Sequence, residues 1–268
     1  MKFLLALLIF VTNSVFAKGS YLLYDYELDT SQVAYNIDQV RPIASITKLF
    51  TAIVILRSGV EMEEKVKVQG KSRGKFPRGS QVTRMNLMRA MLISSDNLAA
   101  QTLANTYPGG FNQFIIDTNI YVNGMGLINT KIVDSSGLLA GNVSTAKDLA
   151  RFLWIIKNNP TIREISNEPN KVISIPKGKR TLKIHLRNTN PSIFVFDNIL
   201  ISKTGFTSPA GRCVVMLVEK NGTYNAVIVL GQKNVKARSR IANDLITADP
   251  LEKPKETVHE PIEFNFGM

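Results

Sequence analysis

Apolar positions follow two different periods along the chain. Near the beginning, and again beyond residue 170, apolar and polar side chains alternate or form short runs rich in Val, Ile and Tyr, which is typical of β-strands. The predicted strands are residues 21–26, 32–36, 172–175, 198–203, 212–219 and 224–231. Elsewhere apolar residues recur every three or four positions, which is typical of helices. The predicted helices are residues 45–58, 85–93, 98–107, 111–123, 145–156 and 235–246.

This order of elements predicts a fold of the α/β (α+β) class. Strands near both ends of the chain, with helices between them, favour one antiparallel sheet built from both chain ends. The helices then flank the sheet and form a helical insertion. At 268 residues the chain is long enough for one large domain, which we assign to residues 18–248.

The two ends of the chain differ from this domain. Lys2 precedes the unbroken apolar run 3–11, and small residues around Ala17 match the pattern that signal peptidase cleaves. The run is too short to cross a bilayer as a helix. We therefore predict a cleaved signal peptide at residues 1–17 and export to the periplasm. Residues 249–268 are rich in Pro and charge, which predicts a flexible charged tail.

Charge and the scarcity of Cys and His narrow the possible chemistry. The sequence has a net charge of +12, which in an exported protein favours an anionic cell wall over nucleic acid as the partner. Cys213 is the single cysteine, so an intramolecular disulfide is impossible. With only His185 and His259, a Ser-His-Asp triad or a zinc site rich in histidine is not expected. We predict chemistry without histidine, metal or cofactor.

A lysine interrupts the apolar face of the first predicted helix, in the stretch "RPIASITKLFTA". Lys48 follows Ser45 by three positions, so a helix presents both side chains on one face. Burying an ammonium group is costly unless it is paired or loses its proton. A neutral Lys48 could accept the proton of Ser45 and make it a nucleophile. The alternative is a serine that caps the helix and a lysine that extends to solvent.

Two later segments strengthen the hypothesis of a catalytic serine. Ser95 and Asn97 lie in "SSDN", at the break between two predicted helices, where the alternative is a simple helix cap. Lys203, Thr204 and Gly205 end an apolar strand, where the alternative is an ordinary turn. The order S-x-x-K, S-x-N and K-T-G is the motif set of β-lactamases and penicillin-binding proteins.

The chain resembles the low-molecular-mass penicillin-binding proteins, which are serine D,D-peptidases of peptidoglycan. The resemblance is strongest to the D-alanyl-D-alanine endopeptidase subgroup, penicillin-binding protein seven, and runs from about residue 19 to the last basic helix. It rests on "RPIASITKLFTA", "SSDNLAA", "YPGG", "NVSTAKDL", "RNTN" and "SKTGFTSPAGRCVVM". It implies a fold like that of β-lactamases and D,D-peptidases.

The resemblance also implies roles for the motif residues. Ser45 would be the acylated nucleophile and Lys48 its general base, while Ser95 would shuttle protons and Asn97 would hold the substrate peptide. The backbone N–H groups of Ser45 and Phe206 would form the oxyanion hole.

Substrate binding is expected beside the K-T-G segment. Lys203 and Thr204 would bind near the substrate carboxylate, and Gly205 would let the backbone approach closely. We add Arg187, from "RNTN", because arginine can grip a carboxylate with two hydrogen bonds. The expected ligands are peptidoglycan stem peptides and cross-links, with β-lactams as inhibitors.

Two departures favour an endopeptidase. Carboxypeptidases of this family often have histidine directly after K-T-G, where this chain has Phe206. They also usually continue into a second, β-rich domain and an amphipathic anchor helix. This chain ends about sixty residues after Gly205, in a tail without an apolar face, so no stable membrane anchor is expected.

Three alternatives remain open. The first is a D-alanyl-D-alanine carboxypeptidase acting on pentapeptide stems. The second is a class A β-lactamase, which needs a glutamate after S-D-N to activate water. No glutamate occurs between Glu64 and Glu164, and Asp134 is the only acid in the segment "IVDSSGL". The third is a wall-binding protein without catalysis, which the intact motifs argue against.

Overall fold

The computed structural model describes residues 19–220 and 222–248. The predicted signal peptide, 1–17, and the predicted charged tail, 249–268, lie outside the described residues. No helix in the described part of the chain is long and apolar enough to cross a membrane.

The described residues contain eleven strands and seven α-helices. The strands are β1 (Ser20–Asp25), β2 (Thr30–Tyr35), β3 (Arg41–Pro42), β4 (Lys65–Lys67), β5 (Gln81–Thr83), β6 (Val143–Ser144), β7 (Asn170–Lys177), β8 (Arg180–Arg187), β9 (Ile199–Thr207), β10 (Gly211–Lys220) and β11 (Thr223–Gln232). The helices are α1 (Thr47–Arg57), α2 (Arg84–Ile93), α3 (Asn97–Asn105), α4 (Gly110–Gly124), α5 (Ala146–Ile156), α6 (Pro160–Ser166) and α7 (Val235–Thr247).

The main sheet joins the two ends of the described chain, as predicted. Its five strands are antiparallel and lie in the order β2-β1-β11-β10-β9. In β1, Leu22 and Tyr24 pack into the large core on the helical side, whereas Tyr21 and Leu23 pack into a smaller core with α7. Successive side chains of a strand point to opposite faces, so a sheet covered on both faces needs apolar residues throughout.

Helices α1 to α6 form the predicted insertion between β2 and β9. Helix α1 is buried along most of its length, and Phe50 stacks on Phe152 of α5 with ring centroids 3.9 Å apart. Side-chain caps fix the helix starts: Asp96 accepts from the N–H of Ala99 at the start of α3. The insertion therefore surrounds α1 with other helices, while α5 packs against the central strands β1, β10 and β11.

Several elements were not predicted. Helix α6 begins with Pro160 after an Asn159 cap, a start signal that we did not use. Strand β8, which pairs with β7 in a separate hairpin, was also not predicted. Its sequence "RTLKIHLR" does alternate apolar and charged residues as a half-buried strand does. The first helix also starts later than predicted, because Ala44–Ile46 forms a short 3-10 turn ahead of α1.

Candidate active site

Ser45 lies in the 3-10 turn that leads into α1, half-buried at the edge of the sheet. Ala44 before it has φ +47°, a conformation that residues with a side chain seldom adopt. Two glycines press against this turn. A Cβ added to Gly137 would lie 1.9 Å from the Ala44 carbonyl oxygen, and one added to Gly205 would lie 2.9 Å from the Ser45 nitrogen. The turn is held by backbone on both sides, which fixes the hydroxyl.

Lys48 is fully buried and has three hydrogen-bond acceptors. Its Nζ lies 2.8 Å from Ser45 Oγ, 2.8 Å from Asn97 Oδ1 and 2.5 Å from the Ser136 carbonyl oxygen. Burial lowers the pKa of Lys48 to about 7, against a smaller opposing effect of Asp134 and Asp96. Near neutral pH a large fraction of this amine is therefore unprotonated.

The three acceptors also determine where a neutral Lys48 directs its lone pair. A neutral amine has two N–H donors and one lone pair, so one of the three contacts must reverse. The Ser136 carbonyl and Asn97 Oδ1 only accept, whereas the hydroxyl of Ser45 can also donate. The only other acceptor near the Ser45 hydroxyl among its described contacts is the Ser136 carbonyl oxygen, which is farther from Ser45 Oγ, at 3.4 Å. A neutral Lys48 would thus accept a hydrogen bond from the Ser45 hydroxyl, which is the arrangement that a general base requires.

The S-D-N segment lies at the break between α2 and α3, as predicted. Ser95 has φ +56°, and its Oγ accepts a hydrogen bond from Lys203 Nζ at 3.0 Å. Asp96 points away from Lys48's hydrogen-bond network, because its two oxygens accept from the backbone N–H groups of Ala99 and Lys75. Asn97, the first residue of α3, supplies the amide oxygen that contacts Lys48.

The K-T-G residues lie inside the edge strand β9 beside this network, and the strand continues to Thr207 instead of ending at K-T-G as predicted, because Gly205 to Thr207 still pair with β10. Lys203 is buried, and its Nζ also donates to the Thr204 carbonyl at 2.9 Å. Burial lowers the pKa of Lys203 well below its usual value, and the charges of Lys48 and Arg238 lower it further. The Thr204 hydroxyl lies 2.6 Å from that of Thr189. The structure thus brings together the lysines and hydroxyls of the three motifs.

Phe206 and Arg187 lie on the surface. Phe206 is 47% exposed, and the guanidinium of Arg212 lies 3.5 Å from its ring centroid. The guanidinium of Arg187 lies over the ring of Phe194, 4.7 Å from its centroid. The backbone N–H of Arg187 donates to Ser94 Oγ at 3.1 Å, so β8 is joined to the residue before Ser95.

Asp134 organises a loop that the sequence analysis did not include in the site. Its carboxylate accepts from the N–H groups of Ser136 (2.6 Å), Gly137 (2.6 Å) and Leu139 (2.7 Å) and from the Asn142 amide (2.9 Å). Burial tends to raise the pKa of Asp134, but these backbone hydrogen bonds bring it below its ordinary value. The loop presents the Ser136 carbonyl to Lys48. An Asp followed by small residues is a turn signal that could have shown this.

Arg238 is a second residue that the sequence analysis missed. It lies on α7 and is only 4% exposed, and its Nε has no hydrogen-bond partner among the described residues. Burial and the charge of Arg212 lower the pKa of Arg238 to about 10. A signal was present, because Arg238 falls on the apolar face that Ile241 and Leu245 define. Arg238 is close enough to lower the pKa of Lys203, so it adds a buried positive charge on this side of the site.

A serine hydroxyl in contact with a buried lysine, beside the edge strand of an antiparallel sheet, is an arrangement typical of serine hydrolases that use lysine as the base. A profile of peptidase family S11, described as D-alanyl-D-alanine carboxypeptidase, matches residues 11–234. The chain therefore belongs to this family, which confirms the predicted family and fold class.

Individual relatives agree with this assignment. The chain is similar to the D-alanyl-D-alanine endopeptidase of Escherichia coli, with 38% identity over 80% of this chain and 71% of that protein. The D-alanyl-D-alanine endopeptidase of Pseudomonas aeruginosa is 40% identical over the same shares. Among solved structures, penicillin-binding protein D2 from Listeria monocytogenes in the cefotaxime bound form matches with a TM-score of 0.74 and 26% identity. That match covers 86% of this chain and 96% of the Listeria protein.

Proposed function

We propose that the protein is a peptidoglycan D,D-endopeptidase that hydrolyses the bond between D-Ala and a diamino acid in cross-links. The observation that carries the proposal is the 2.8 Å contact between Ser45 Oγ and Nζ of the buried Lys48. The named activity of the two relatives above supports the endopeptidase over other D,D-peptidases. The protein then forms a serine acyl-enzyme, which penicillin would also form and thereby inhibit the enzyme.

Acylation follows from the geometry of Lys48. As Ser45 Oγ attacks the carbonyl carbon of D-Ala, its proton moves to neutral Lys48, and the carbonyl oxygen becomes an oxyanion. The N–H groups of Ser45 and Phe206 would bind that oxyanion. When the carbon–nitrogen bond breaks, the proton passes through the network to the leaving amine. We assign this relay to Ser95, whose hydroxyl contacts Lys203 Nζ at 3.0 Å.

Deacylation reverses the same steps with water in place of the amine. Water attacks the ester of Ser45, Lys48 accepts its proton, and the proton returns to Ser45 Oγ as the stem peptide leaves. The contacts of Lys48 with Asn97 and the Ser136 carbonyl keep its lone pair directed at this position throughout.

We place recognition of the carboxylate beyond the scissile bond at two residues of β9 and one residue of α7. Lys203 and Thr204 are both buried, and Arg238 lies close enough to lower the pKa of Lys203. We assign the carboxylate to these three residues. Arg187, whose guanidinium lies over Phe194, stays a predicted additional contact at the surface.

The second candidate activity is that of a carboxypeptidase, which the description of the matched family favours. It uses the same acyl-enzyme but releases a terminal D-Ala. The two activities differ in what the leaving-group side accommodates: a single amino acid, or a diamino acid attached to a second stem.

Digestion of purified muropeptides tests the proposal. We expect cross-linked dimers to be converted to monomers faster than monomeric pentapeptides lose D-Ala, with the products resolved by mass. The Ser45→Ala variant is the control, and we expect it to cleave neither substrate and to bind no fluorescent penicillin. Release of D-Ala without dimer cleavage would identify a carboxypeptidase. Labelling of Ser45→Ala would place the nucleophile elsewhere.

The place of action is proposed from the sequence. The apolar run 3–11 and the small residues near Ala17 support export through a cleaved signal peptide, and the wall is periplasmic. Mass analysis of the protein purified from the periplasm should then give an N-terminus close to residue 18. A full-length chain in the membrane fraction would contradict this proposal.

A further inference from the structure

A cleft with a volume of about 290 Å³ lies beside Ser95 and Asn97. One wall is formed by residues 94–97. The other is formed by Arg73, Gly74 and Lys75, from the loop between β4 and β5. We call this space the basic cleft.

The loop that carries the two cations is fixed to α3 by hydrogen bonds. The backbone N–H of Lys75 donates to Asp96 Oδ2, and those of Lys71 and Ser72 donate to Gln101 Oε1 at 2.9 and 3.0 Å. Side chains of α3 and its cap thus bind three N–H groups of the loop backbone. The positions of Arg73 and Lys75 relative to Ser95 are therefore built into the fold.

Gly74 shows how closely the loop is seated. A Cβ at this position would lie 2.5 Å from Leu98 Cβ and 2.7 Å from Asp96 Oδ1, distances that atoms in proteins do not adopt. Only glycine lets the backbone between the two cations lie against α3.

The charges in the basic cleft are not neutralised by the protein. Arg73 and Lys75 are exposed, and neither forms an ion pair with another described residue. The carboxylate of Asp96 is 6% exposed and accepts backbone N–H groups with both oxygens, so it is engaged by the backbone. The cleft therefore attracts an anion.

We propose that the basic cleft binds a carboxylate of the acyl-donor stem peptide, one or two residues before the scissile D-Ala. This inference depends on the proposed function. With the leaving-group carboxylate assigned to Lys203, Thr204 and Arg238, we place the donor stem on the side of Asn97, which lines the basic cleft. There a stem built from a diamino acid and a glutamate offers free carboxylates, and Arg73 and Lys75 select stems in which these are not amidated.

The test compares two muropeptide dimers that differ only in the donor stem, with free carboxylates in one and carboxamides in the other. We expect the wild-type enzyme to prefer the free acid in kcat/KM by about three- to tenfold, as two exposed ion pairs allow. The preference should decrease with added salt, because the cations are exposed. In Arg73→Gln/Lys75→Gln the preference should fall to about one.

A matched variant controls for net charge. Lys179→Gln/Arg180→Gln removes the same two charges at the exposed turn of the β7–β8 hairpin, and we expect it to keep the wild-type preference. Equal rates for both dimers in the wild type, or a preference that Arg73→Gln/Lys75→Gln retains, would overturn the inference. If the wild type cleaves neither dimer, the endopeptidase proposal fails instead. The same two stems offered as pentapeptides then test the cleft through release of D-Ala.

Discussion

The proposed reactivity of Ser45 depends on one buried side chain, Lys48. Its pKa of about 7 means that the amine changes protonation state within the working range of a cell. The protonated form fills all three contacts as a donor, whereas the neutral form must accept from Ser45. Only the neutral form is a base, so activity depends directly on this pKa.

We therefore expect the acylation rate by a fluorescent penicillin to depend on pH. Because the folded-state pKa is lowered to about 7, the rate should fall about tenfold per pH unit below that value and level off above it. Stopped-flow measurements from about pH 5 to about pH 9 would span the range in which a desolvated lysine titrates.

Substitution of Lys48 supplies the control for this profile. Lys48→Arg should lose as much activity as Lys48→Ala, because a guanidinium keeps its proton at every pH used. A wild-type rate that stays constant over the whole pH range would show that a neutral Lys48 is not required.

Arg238 and Arg187 give a second prediction, because they differ in burial. Arg238→Gln should reduce kcat/KM on muropeptide dimers. The lost transition-state stabilisation should be about 1 to 3 kcal/mol, the usual loss when a charged hydrogen-bond partner is removed. Arg187→Gln should cost less, because this guanidinium is exposed and lies over Phe194. Steady-state kinetics on the same dimers compares them. A larger loss for Arg187→Gln would show that the substrate carboxylate binds at the surface beside Arg187.

Only part of the site could be predicted from single residues. Ser45, Lys48 and Lys203 stand in short motifs, so their roles could be proposed before any fold was known. Arg238 stands in none of the three motifs, and its charge affects Lys203 only because α7 packs against β10 and β11. Contacts between distant segments of this kind have no local sequence signal.

The loop around Asp134 and the turn around Ser45 act as one unit. Gly137 has φ +79°, and its Cα hydrogen faces the Ala44 carbonyl, with no room for a methyl group. Gly137→Ala should displace the turn and slow penicillin acylation by about tenfold or more, since a misplacement of about 1 Å can cost two orders of magnitude.

The comparison for this variant is Gly178→Ala, at the turn of the β7–β8 hairpin. Gly178 also has a positive φ, but a Cβ there would meet no atom within 4 Å. Gly178→Ala should therefore introduce the same kind of backbone strain as Gly137→Ala but leave the acylation rate unchanged. Equal effects of the two changes would mean that contact with the nucleophile turn is unimportant.

The same loop predicts how the enzyme meets β-lactams. A class A β-lactamase needs a carboxylate that activates the deacylating water. Asp134 is committed to the N–H groups of Ser136, Gly137 and Leu139, and the sequence has no glutamate between Glu64 and Glu164. A chromogenic cephalosporin should therefore give a burst of about one equivalent per enzyme and then very slow turnover. Sustained turnover at about 10 per second or faster would identify a β-lactamase.

The overall architecture could be predicted because strands and helices are segregated along the chain. Alternation in β1, β2, β10 and β11 and helical periodicity between them led to a sheet built from both ends, which the structure has. Strand order and register could not be predicted, because they depend on pairings such as Leu22 with Ile228 across most of the sequence.

The position of β1 inside the sheet leads to the last prediction, which concerns the limits of the domain. Strand β1 lies between β2 and β11, and its side chains Tyr21, Leu22, Leu23 and Tyr24 are all at most 3% exposed. Each contributes about 1.5 to 3 kcal/mol on burial, so together they approach the whole stability of a typical domain. A chain of residues 18–248 should therefore unfold cooperatively and bind penicillin as the full chain does. A chain of residues 27–248, without β1, should do neither. Thermal unfolding and labelling of both chains would measure this, and a chain of residues 18–248 that fails to fold would show that residues 249–268 belong to the domain.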